Sequence, residues 1–98
     1  MSHHSTEYYY ALIEDLIADQ QAVWGSSAIE IADSVTGLAV SAPVSDTDDI
    51  WVTGEPKQVA DALAEAYIDR FGQTAASSMQ AVATEYGEDI DLPQTLRQ

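Results

Sequence analysis

The sequence predicts a small α+β protein, mostly α-helical, in which two αα-hairpins flank one β-hairpin. Apolar residues recur at helical spacing in two long segments, two short alternating segments lie between them, and glycines separate the pieces. With 98 residues, 46% of them hydrophobic, the chain is long enough for one domain with a small core. We expect residues 6–87 to form that domain, with a disordered N-terminus at 1–5 and a C-terminal tail at 88–98.

The first helix is predicted from Tyr8 to Trp24. Ser5 is a favourable N-cap, and the apolar residues that follow are spaced as one buried helical face. Gly25 comes directly after this segment and is typical of a helix end.

A short second helix is predicted immediately afterwards. Ser27 and Glu30 match a capping box, in which each side chain accepts a hydrogen bond from the other residue's backbone N–H. The helix is therefore expected to begin at about Ala28, and Gly37 is placed to end it.

The middle of the chain predicts a β-hairpin. Residues 38–41 and 50–53 alternate and are rich in residues that favour strands. The eight residues between them include Pro43 and three aspartates, so an acidic loop is expected to join the strands.

The second αα-hairpin is predicted to start at Pro56, since proline is tolerated in the first turn of a helix. After an interruption at Gly72, Thr74 is a candidate cap for a last helix that runs to Gly87. The buried face of the third helix is predicted to carry Val59, Leu63, Tyr67 and Phe71.

The two helical halves correspond at an offset of 47 residues. Two interpretations remain open: chance agreement between two amphipathic helix pairs, or an internal repeat packed about a pseudo-twofold axis. The matching positions are Leu12 with Val59, Leu16 with Leu63, Trp24-Gly25 with Phe71-Gly72, Ser27-Ala28 with Thr74-Ala75, and Val35 with Val82.

Charge is the most unusual property of the composition. The chain has 17 Asp and Glu against 3 Lys and Arg, for a formal net charge of −14, and the acids are spread along its whole length. Such a nearly lysine-free, acidic and alanine-rich composition resembles that of small cytosolic proteins from haloarchaea. The resemblance implies a cytoplasmic protein surrounded by concentrated K⁺ or Na⁺; a DNA mimic and a protein with a basic partner are the alternatives.

The composition also excludes several function classes. There is no cysteine, and the only histidines are His3 and His4, so thiol chemistry and a histidine-based site in the body of the protein are ruled out. Three dispersed cations do not neutralise the phosphates of a nucleic acid. No apolar stretch approaches the length of a membrane span. We therefore expect no enzyme activity, no cofactor, no nucleic-acid partner and no membrane partner.

Two groups of residues are candidates for a metal site. A histidine third from a free N-terminus can hold Cu²⁺ or Ni²⁺ with backbone nitrogens, and either His3 or His4 takes that place according to whether Met1 is kept. Asp46, Asp48 and Asp49 in the hairpin loop offer oxygen ligands, but they lack the pattern of an EF-hand.

The favoured interpretation is a non-enzymatic protein–protein interaction module adapted to high salt, an adaptor or regulatory subunit that binds a protein partner or itself as a homodimer. Aromatic and apolar residues near the hairpin form the predicted interface, namely Tyr9, Tyr10, Ile50, Trp51 and Val52. The alternative is a small-ligand or metal-ion binding protein whose pocket lies between the helical hairpins, lined by Trp24, Tyr67 and Phe71.

Overall fold

A computed structural model describes residues 3–41, 44 and 49–84. It shows the predicted class, four helices and one two-stranded antiparallel sheet in the described part of the chain. The elements in chain order are α1 (His3–Trp24), α2 (Ser26–Asp33), β1 (Leu38–Val40), β2 (Ile50–Val52), α3 (Pro56–Phe71) and α4 (Gln73–Thr84).

The α1 and α3 helices are the centre of the fold, since each of them packs against the other three described helices. The first of them, α1, has the longer span. It begins at His3, ahead of the predicted Ser5 cap. Its apolar face is fully buried at Leu12, Ile13, Leu16 and Ile17.

Small residues fill much of the space where the helices meet. The alanines with little or no exposed surface come from three helices, which allows the helix backbones to approach closely because a methyl group occupies little room. They are Ala28, Ala32, Ala60, Ala64, Ala75, Ala76 and Ala83.

The junction between α1 and α2 differs from the prediction. No side-chain hydrogen bond caps α2, so the capping box expected from Ser27 and Glu30 does not form. Gly25 is the N-cap instead, at φ 64° and ψ −137°. The backbone turns so sharply there that α2 begins at Ser26, one residue after the glycine, and its first turn leaves no place for the Ser27 side chain at the cap position.

The second junction has nearly the same backbone. Gly72 ends α3 at φ 77° and ψ −152°, and α4 begins at the next residue, Gln73, before the predicted Thr74 cap. Both glycines lie in a region of backbone conformation that other residues rarely enter. Each αα-hairpin therefore turns on one glycine.

Burial follows the 47-residue offset as well. Seven positions of the first hairpin are buried, and so are the positions 47 residues further along the chain. The pairs are Leu12 and Val59, Ile13 and Ala60, Leu16 and Leu63, Ile17 and Ala64, Gln20 and Tyr67, Ala28 and Ala75, Ala32 and Met79. The correspondence covers both helices of each pair and the glycine turns between them. The two helical hairpins thus share this pattern of buried positions.

The β-hairpin connects the two αα-hairpins and lies with one face on the helices. Leu38 pairs with Val52, Ala39 with Trp51 and Val40 with Ile50. Leu38 and Ile50 are buried, and Val40 and Val52 pack against the same core. Since alternate residues of a strand point to opposite faces, the other face carries Ala39 and Trp51 and is exposed.

None of the described helices combines the length and the apolar character that crossing a bilayer requires.

Candidate functional site

The outward face of the hairpin carries alternate residues of the two strands. Two backbone hydrogen bonds flank the strand pairing, Thr53 N to Gly37 O and Ser41 N to Asp49 O at 2.8 Å each. Ala39, Ser41, Trp51 and Thr53 are exposed, whereas a Cβ added at Gly37 would meet the buried side chain of Val59 at 3.3 Å.

Trp51 dominates this face. Its side chain is 54% exposed, although the indole is among the largest apolar groups in the chain. Directly opposite in the register stands Ala39, whose methyl group leaves a shallow position beside the ring. A large exposed aromatic side chain beside a small residue is typical of a contact surface.

The remaining predicted interface residues support the hairpin from inside or from its edge. Ile50 is buried in the core, and Val52 and Tyr9 are half-buried and pack against it. The Tyr10 hydroxyl lies 3.5 Å from the Val52 carbonyl oxygen, at the outer edge of β2. Trp51 is thus the only one of the five whose side chain is mostly accessible to a partner.

Tyr8 is exposed, at 37%. Three consecutive tyrosines on one helix point in directions about 100° apart, so they do not all face one core.

The residues predicted to line a ligand pocket are brought together at the ends of α1 and α3. The Trp24 and Phe71 rings stack with centroids 4.3 Å apart and planes 8° from parallel. The Tyr67 and Phe71 rings are also stacked, with centroids 6.1 Å apart. A ligand placed at this point would have to separate rings that already contact each other.

Hydrogen bonds fix the aromatic cluster of Trp24, Tyr67 and Phe71 on both sides. The Tyr67 hydroxyl is buried and donates to the Ala28 carbonyl oxygen at 2.9 Å. Burial raises the pKa of that hydroxyl above its ordinary value of 10.0. The Trp24 indole N–H donates to Gln20 Oε1 at 3.0 Å.

Gln20 was not anticipated from the sequence, yet it is completely buried. Its amide donates to Asp19 Oδ2 at 2.9 Å, and the same carboxylate oxygen accepts a hydrogen bond from Ser78 on α4. The signal was present in the spacing, because position 20 follows Leu16 by four residues and precedes Trp24 by four on the buried face. A polar residue in that stripe beside an indole N–H is a hydrogen-bond partner for it.

Three of the five predicted metal-binding residues lie within the part of the chain that the structure describes. His3 and His4 lie in the first turn of α1, and Asp49 directly precedes β2. Asp46 and Asp48 lie outside the described residues. Within residues 3–41, 44 and 49–84, no three acidic, histidine or cysteine side chains cluster as a metal site.

An open groove of about 570 Å³ runs along the outer side of α3. The described residues that line it are Ala62, Glu65, Ala66, Ile68 and Asp69. None of the three aromatic residues of the predicted pocket is among them.

Comparisons with protein-family models, with curated proteins and with solved structures give no match for this chain.

Proposed function

We propose that this chain is a non-enzymatic protein–protein interaction module that works at high salt, as an adaptor or regulatory subunit. The observation that carries the proposal is Trp51, which is 54% exposed on the outward face of the β-hairpin. Exposed tryptophan is costly in water and is enriched at the centres of protein interfaces. The contact surface is the outward face of the β-hairpin.

The high-salt part of the proposal is supported by the charge. A net charge of −14 on 98 residues repels itself in dilute buffer, and concentrated salt shortens the screening distance to about 3 Å at 1 M. Such screening also lets an acidic protein approach a partner that is not basic.

The absence of catalytic chemistry is proposed on composition. Both histidines lie among the first four residues, and no cysteine is present, so the residues that most often act as nucleophile or general base are missing from the folded body. Carboxylates remain, but their even distribution singles out no pair.

The test is a bait experiment at 3 M KCl in extract of cells that express the protein. Trp51→Asp should lose the captured protein, whether that is another protein or an untagged copy of this chain. Val23→Asp is the matched control, because Val23 is 56% exposed on α1 and receives the same charge. Equal capture by Trp51→Asp and by the unmodified chain contradicts the proposal, as does the absence of any captured protein.

A further inference from the structure

We draw no further inference here: the strongest candidate, the open groove along the outer side of α3, is lined in the described part of the chain by residues of that helix alone, and nothing in the structure shows what covers it.

Discussion

At the residue scale, the aromatic cluster shows how single side chains hold the two αα-hairpins together. Trp24 and Phe71, which correspond at the 47-residue offset, stack on each other, and this stacking adds about 0.5–1.5 kcal/mol beyond the apolar area that they bury. Gln20 and Tyr67 also correspond, and each is buried, but their chemistry differs. Gln20 accepts from the Trp24 indole, and the Tyr67 hydroxyl crosses to α2.

Tyr67→Phe tests the buried hydroxyl through pH. Burial raises the pKa of Tyr67 in the folded protein above the ordinary 10.0 of the unfolded chain. At a pH between the unfolded and the folded pKa, the unfolded chain therefore holds fewer protons than the folded one. Stability contributed by this group is therefore complete below pH 10 and falls as pH rises above it, by up to about 1.4 kcal/mol per pH unit. Urea unfolding at high salt between pH 8 and 11.5 measures the slope.

Two outcomes are expected for this variant. Near pH 8 it should be less stable by about 1 kcal/mol, because the hydrogen bond to Ala28 is lost. Above pH 10 its stability should fall less steeply than that of the unmodified chain. Parallel pH curves for the two proteins would show that the Tyr67 hydroxyl is not held away from water.

At the element scale, the helices and strands were predictable because each depends on local spacing. The stripe of α3, the short strands and Pro56 at the first turn follow from residues near one another in the chain. The predicted capping box was wrong because the start of α2 depends on more than local spacing. The Trp24–Phe71 stack joins residues 47 positions apart at the two turns, and the tight turn at Gly25 starts α2 before Ser27 reaches a cap position.

Alanine at either turn glycine should destabilise the protein. Gly25 and Gly72 have positive φ with ψ near the extended region, and nothing lies within 4 Å of an added Cβ. The cost is therefore backbone strain alone, about 1–3 kcal/mol in each case. Ser26→Ala is the control, because Ser26 is exposed and makes no capping bond, and it should change the free energy of unfolding by less than about 0.5 kcal/mol.

Urea midpoints of the three single variants at one salt concentration give the comparison. Similar losses at Gly25 and Gly72 are expected because the two turns share one backbone conformation. A loss at only one of them would contradict the equivalence of the two junctions.

At the scale of the whole molecule, the candidate site was predictable only in part. The sequence indicates that Trp51 lies on the strand face opposite Ile50 and Val52, but it does not decide whether helices cover both faces. That depends on where α1 and α2 lie relative to the hairpin, which Gln21 and Val35 determine through bonds to Val44 and Leu38. Tyr9 and Tyr10, both predicted at the interface, instead pack inward or onto the β2 edge.

The charge of the whole molecule predicts that folding depends on salt. Because −14 is distributed over the chain, no single ion pair accounts for the repulsion, and folding should depend on screening. Far-UV circular dichroism during a KCl titration should show helix content rising cooperatively with salt. Neutralising Glu30, Glu55 and Glu65 as glutamines removes three charges from exposed positions, and it should lower the KCl concentration at the midpoint.

A salt series distinguishes screening from exclusion of solutes. Sucrose also favours compact states but does not screen charge, so screening predicts that KCl restores the helix at ionic strengths where sucrose of equal osmolarity does not. The triple glutamine variant should narrow the gap between the two solutes, because less repulsion is left to screen. Complete, cooperative folding of the unmodified chain in dilute buffer would contradict adaptation to high salt.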